Sequence, residues 1–453
     1  MYVLLCVLAI LSSSFAMDNL RVVFEWKQVD FEYPSSEARQ EAINNRDFVP
    51  ENNLPLGLEV YGDRLFITLP RWKSGVPASL TYINLSDPMD SPKLRPYPNW
   101  EAHKLSHTEG SDPPEIVSPF RIRADQCGRL WVLDAGTVDA LGDLRFYPAQ
   151  LLIYDLHNDA LLRRYLIPKD QYSTDSLLAN IAVEDENCND SYAYLADLGD
   201  PGLIVYSWAN QTSWLVKHHY FNIDPMAGNF NIAGLQFSWS DGVFGVALSA
   251  PEADGYSTLY FHSLTGVHEF SVSTKILRNA TLARNSFKQF KMLGSRGPKG
   301  QSGSSFLDKK TGVLFYSLVN LNAIACWKTT NPSYTMESQG RIYMNNITMV
   351  FPIDLKVDPN NTLWVLSNRL PVFMYSRLNQ SDVNFRVLTS PVADAIRNTS
   401  CDSKLVISPE ITNRFKLNMQ TSTTEAPQTN RNSAQSVVLS LPLLLVAIFA
   451  RLI

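Results

Sequence analysis

Asp125-Gln126-Cys127-Gly128-Arg129-Leu130-Trp131-Val132-Leu133-Asp134-Ala135-Gly136 is the stretch whose reading decides the fold. Asp125 and Gly128 carry turn chemistry, and residues 130–133 form an apolar, aromatic run of strand length. Asp134 and Gly136 close the run on a polar note. Weaker copies of this strand–turn–strand unit recur at residues 58–68, 181–197, 235–249, 305–318 and 353–368. Most copies are followed by a further strand, as at 149–155, 202–208 and 257–262. A repeating all-β unit of this size is the signature of a propeller, each unit being one blade of about four strands. Six copies predict an all-β, six-bladed β-propeller with a central channel, because a sandwich has no need of the same hairpin six times.

The composition agrees. The chain has 453 residues, of which 45% are hydrophobic and 18% charged, with 19 Tyr, 22 Phe and 9 Trp. That aromatic content suits strands. The net charge is -5 and no basic block occurs, so nucleic acid is not an expected partner. Residues 1–16 read as a signal peptide, and 17–410 as the propeller. Residues 411–436 read as a Ser/Thr-rich flexible stalk. Residues 437–453 read as a hydrophobic tail, either a GPI-anchor signal or a membrane segment. The apolar run 437–450 is shorter than the ~20 residues that a span needs, which favours the GPI signal. The membrane is expected to be touched only through this tail.

Eight Asn-x-Ser/Thr sequons, at Asn84, Asn189, Asn210, Asn279, Asn346, Asn360, Asn379 and Asn398, point to an exported glycoprotein. Cys127, Cys188, Cys326 and Cys401 remain once Cys6 leaves with the signal. Four cysteines allow three pairings. The repeat places Cys127 and Cys188 in the same turn of adjoining copies, which makes 127–188 with 326–401 the natural arrangement. No Cys-x-x-Cys spacing, catalytic motif or nucleotide fingerprint is present, so neither metal nor cofactor is expected. His103 and His107 fall in a Pro-rich stretch read as a surface loop, and His218-His219 are read as part of a strand. The Gly-rich segment 297–303 is read as a mobile loop.

In a propeller, loops at one face close over the channel, and the ends of the second strands are where a ligand site is sought. Those ends offer Arg71, Asp134, Asp197, Ser249, Asn320, Asn322, Asn368 and Arg369. Acidic and amide groups converging there suit a cationic amine, and Phe120 and Phe373 suit stacking on its ring. For any one of these residues a turn or cap role outweighs a ligand role. For the face as a group the order reverses.

Cys127-Gly-Arg-Leu-Trp-Val-Leu-Asp134 resembles the signature of the insect Yellow / major royal jelly protein family. The segments at 181–183, 192–197, 202–208, 254–261, 272–278, 322–327 and 363–373 resemble family segments in family order, so the resemblance runs from about Phe24 to Cys401. It implies a six-bladed propeller, in agreement with the repeat. Many members carry a further cysteine pair near positions 110 and 146. Gly110 and Phe146 stand here, which leaves 127–188 and 326–401 as the bridges that the resemblance implies. For function the resemblance implies an extracellular propeller that binds a small aromatic amine or catechol-derived ligand, with a role in cuticle pigmentation and the melanin pathway. Its alternatives are a dopachrome conversion enzyme of the tautomerase or decarboxylase type, and a secreted structural or signalling glycoprotein without turnover. The protein is expected to act as a monomer.

Overall fold

The computed structural model describes residues 19–105 and 114–402. The signal peptide, the stalk and the hydrophobic tail lie outside the described residues, as do His107 and Gly110. Six four-stranded antiparallel sheets are arranged as the blades of a six-bladed propeller. Their innermost strands are Gly57–Tyr61, Pro119–Ala124, Leu178–Glu184, Val243–Leu248, Ser305–Asp308 and Pro352–Val357. Each touches the next, and the sixth touches the first, closing a ring around the channel.

The repeated hairpin has a physical cause that blade two shows plainly. The Asp125 carboxylate accepts from the backbone N–H of Cys127 and Arg129, each at 2.9 Å, and from the Trp131 indole at 2.7 Å. Gly128 supplies the positive φ of 74° that the turn needs. Blade six repeats the device. Asp358 accepts from Thr362 N–H and from the Trp364 indole, and Asn361 takes the left-handed position. An Asp six residues before a Trp thus fixes both the turn and the ring that packs between blades.

Apolar clusters fill the gaps between successive blades. Trp131, Leu133 and Ile153 of blade two, for example, meet Ile204 and Tyr206 of blade three. Arg129 spans the same gap, donating to Ser191 Oγ at 2.7 Å and to Cys188 O at 3.0 Å while lying over Trp208. The Cys127–Cys188 disulfide staples the turns of blades two and three, and Cys326–Cys401 ties blade five to the chain that follows blade six. Two bridges of this kind fit an oxidising, extracellular compartment.

The ring is closed by a strand that the repeat does not announce. Arg21–Trp26 pairs with Phe385–Pro391 and becomes the outermost strand of blade six. The copy at 235–249 also departs from its reading as the blade-four hairpin. Leu235–Ser238 pairs backwards with Asn229–Ile232 in a separate ribbon, and Val243–Leu248 is the innermost strand of blade four rather than its second. Ser249 therefore does not end a second strand.

His103 is not on a surface loop. It is buried in a short 3-10 helix, with Nε2 at 3.0 Å from Tyr97 O, and burial beside Arg71 lowers its pKa to about 3. His218 caps a 3-10 helix rather than continuing a strand, and its ring stacks on His219. The 297–303 segment is likewise no open loop throughout, since Ser302 is fully buried.

Candidate functional site at the channel mouth

The second strands end in short polar residues that face backbone. Asp134 is wholly buried and accepts four hydrogen bonds, from Val117 N–H at 2.7 Å, Ser118 N–H at 2.8 Å, Gly136 N–H at 3.0 Å and Gln150 Nε2 at 3.0 Å. Asp197 does the same in blade three, accepting from the backbone N–H of Leu177, Gly199 and Asp200. At the equivalent positions Thr68 accepts from Gly57 N–H, and Ser317 from Gly303 N–H. These residues hold the chain as it enters the innermost strands of blades one, two, three and five. A substitution at Asp134 acts on the folding of blade two, because every acceptor position of its carboxylate is already in use.

Of the other residues expected at this face, several build it without lining it. Asn368 donates to Pro55 O at 2.8 Å and accepts from Leu370 N–H, docking the helix Leu370–Tyr375 onto blade one. Arg369 precedes that helix at a φ of 52° and reaches Asn384. Asn320 fastens the 229–238 ribbon through Asn231 N–H and Asn229 O. Asn322 takes a left-handed position and bonds Asn346. Arg71 is buried, donating to His103 O at 2.7 Å. Phe373 lies on the far side of its helix from the channel, in a different cavity.

Phe120 does line the mouth, packed on Trp72 with ring centroids 5.6 Å apart. Phe244, Phe351 and Trp239 complete an aromatic wall, and Leu370 and Met374, one turn apart on the helix, cap it. The ribbon and the helix meet above it, where the Trp239 indole donates to the Tyr375 hydroxyl at 2.6 Å. The space between these residues is about 50 Å³ and opens partly to solvent, enough for a few waters and too little for an aromatic ring. A ligand of that size enters only if the cap gives way, and Met374 is the pliable part of it.

Two charged residues reach this apolar space. Arg121 is fully buried and forms its floor. Its guanidinium donates to Ile353 O at 2.8 Å, lies over Phe244 and stands 3.4 Å from Asp354 Oδ2. Asp241 stands in the wall. Its backbone pairs with Thr265, but among the described residues its carboxylate has no hydrogen bond and no ion pair. Burial alone pushes its pKa up to about 7. Sequence reasoning passed over Asp241 because Ser240-Asp241-Gly242 has the composition of a hairpin turn. The signal that was available is Trp239 two residues earlier, a large ring beside a supposed surface turn.

A disulfide-stapled, six-bladed propeller with an aromatic channel mouth and one unpaired acid is the class that fold and site define. Residues 117–401 match the family described as major royal jelly protein. The chain belongs to that family. It is 42% identical over 407 residues to the Protein yellow of Drosophila erecta, covering 88% of this chain and 74% of that one. To the Protein yellow of Drosophila melanogaster it is 41% identical with the same coverage. Among solved structures it is similar to a luciferin-regenerating enzyme, with a TM-score of 0.42, 12% identity, and coverage of 75% of this chain and 91% of that one. Nothing about chemistry follows from a likeness that distant.

Proposed function

We propose that the channel mouth binds a small aromatic amine or catechol-derived ligand, and that the protein serves pigmentation, with which its family membership is consistent. The observation that carries this reading is the Asp241 carboxylate, buried among rings and without a partner. A cationic amine supplies the missing charge, and Trp239, Phe351 and Phe120 supply faces for an ammonium or a ring. Arg121 forms the floor of the space but faces Asp354, so it adds structure there and not a ligand contact. The test is calorimetry of the purified protein with dopamine, alongside the absorbance of dopachrome. Saturable binding with no loss of colour beyond the spontaneous rate fits a carrier. Absence of both would leave a structural or signalling role.

One observation favours a catalytic variant of this reading. An acid that titrates near neutrality can take a proton from one atom of a ligand and return it to another, which a tautomerisation requires. Dopachrome turnover that disappears in Asp241→Asn would establish it.

We further infer an extracellular site of action. Seven of the eight sequon asparagines are exposed, and Asn84 is half-buried. Among the described residues no helix is long and apolar enough to cross a membrane. Attachment by a GPI anchor replacing the 437–453 tail is expected to make the protein releasable from cells by a GPI-cleaving phospholipase C, and retention after treatment would remove the anchor.

A further inference from the structure

The helix Leu370–Tyr375 brings two successive side chains to the channel mouth in different ways. Met374 lines the space, and Tyr375, the last residue of the helix, stands at its rim with 44% of its surface exposed. The ribbon side holds the Tyr375 ring in place. Phe237 packs on it with ring centroids 5.3 Å apart, and the Trp239 indole donates to its hydroxyl at 2.6 Å.

A tyrosine hydroxyl has one proton to give as well as lone pairs that receive. Here the oxygen receives from Trp239, and among the described residues the proton has no acceptor. The incoming indole N–H polarises the O–H bond and makes it a better donor. Burial holds the phenol pKa above its ordinary value, the Trp239 N–H opposes this, and the Asp241 charge adds to it. The group is therefore a protonated donor at neutral pH.

The rest of the wall narrows the choice of contacts. Arg121 faces Asp354, and the Trp72 Nε1, though without a partner, is shut off from solvent. What is left for an occupant is the Asp241 carboxylate and the Tyr375 hydroxyl proton, beside a wall that includes Phe120, Phe244 and Phe351. Asp241 lies close enough to Tyr375 for its charge to act on the phenol, so one small molecule can span the two. An oxygen carried into such apolar surroundings costs free energy unless something bonds it.

We propose that Tyr375 determines the specificity of the mouth, its hydroxyl donating to an oxygen on the ligand's ring while Asp241 takes the ammonium at the other end. The assignment rests on the amine reading given above and narrows it to arylalkylamines that carry a ring hydroxyl or a ring carbonyl. An amine with a bare ring forgoes the bond.

Calorimetry of the full protein with tyramine and with phenethylamine, which differ only in the ring hydroxyl, tests it. The wild type is expected to bind tyramine about fivefold more tightly, the worth of one neutral hydrogen bond. Tyr375→Phe keeps the ring against Phe237, and its folding is checked by thermal unfolding. In this variant the ratio of the two affinities is expected to fall to about one. A hydroxyl that only held ribbon and helix together would weaken both amines alike and leave the ratio as it was, and that result overturns the assignment. So does a wild type without preference. In both of these cases the amines still bind, and the amine reading stands. Binding of neither amine to the wild type removes that reading and this assignment together.

Discussion

Asp241→Asn is expected to make the protein more stable at pH 8, by roughly 2 kcal/mol, while removing its affinity for amines. The gain follows from the burial of a charge without a partner. Burial raises the carboxyl from the ordinary range near 3.8 to about 7. Each pH unit between those values is worth ~1.4 kcal/mol, so the full charge costs roughly 4 kcal/mol above pH 7. A buried amide without partners returns part of that gain, ~1–3 kcal/mol. The direction with pH is fixed by which state holds the proton. Between about pH 4 and 7 the folded protein keeps a proton that the unfolded chain releases, so this residue's contribution to stability falls as pH rises through that window and is level above it. The variant should lack that slope. Tyr375 is the titratable group on which this carboxylate acts, Arg121 lines the same space, and the Thr265 hydroxyl holds the Asp241 backbone N–H; none of the three is bonded to the carboxylate. Urea unfolding at pH 5 and pH 8 reads the effect. Equal stability of wild type and variant at both values would mean that the acid is solvated or paired. A residue that costs stability where it stands is the pattern of a functional site.

Asp354→Ala is expected to have the opposite effect, a loss of roughly 3–5 kcal/mol and a poor yield of folded protein. Asp354 is fully buried beneath the channel mouth. Oδ1 accepts from Lys356 Nζ at 2.8 Å and Leu355 N–H at 2.9 Å, and Oδ2 accepts from Leu58 N–H at 2.9 Å, across the boundary to blade one. Arg121 approaches from blade two. One carboxylate thus neutralises two buried cations and pins three innermost strands. Burial alone would raise its pKa, but Lys356 and Arg121 outweigh that and hold it below the usual carboxylate value. Its contribution is therefore present at neutral pH and is lost as the medium is acidified through the folded-state pKa. Removing it strands both cations. Replacing all three by Met or Leu is expected to be far better tolerated than the single change, because an apolar cluster leaves no charge behind. A single variant that loses less than ~1 kcal/mol in urea would show that water reaches the triad.

These two acids also mark where the sequence was legible and where it was not. The blades could be read because one local device, the Asp–turn–Trp hairpin, is written into contiguous residues such as 125–131 and 358–364. Closure by Arg21–Trp26 could not, since its partner strand lies more than 350 residues away and nothing local names it. The copy at 235–249 misled for a related reason. Leu235-Gln-Phe-Ser alternates as a blade strand would, yet pairing with Asn229–Ile232 turns it into a ribbon over the channel. The site failed in the same manner. Asp134 and Asp197 stand at the right face, but an acid beside a strand end finds free backbone N–H groups first. Asp241 differs in finding none, and that follows from tertiary packing around it. Phe120 was legible because ring size and strand position alone put it at the mouth.

Dopamine affinity measured by calorimetry from pH 5.5 to 8.5, on the wild type and on Asp241→Asn, tests the account most directly. If Asp241 is the counter-ion, wild-type affinity rises about tenfold per pH unit up to pH 7 and then levels off, and the variant binds weakly at every pH. An affinity that is flat across the range and equal in the two proteins would contradict it.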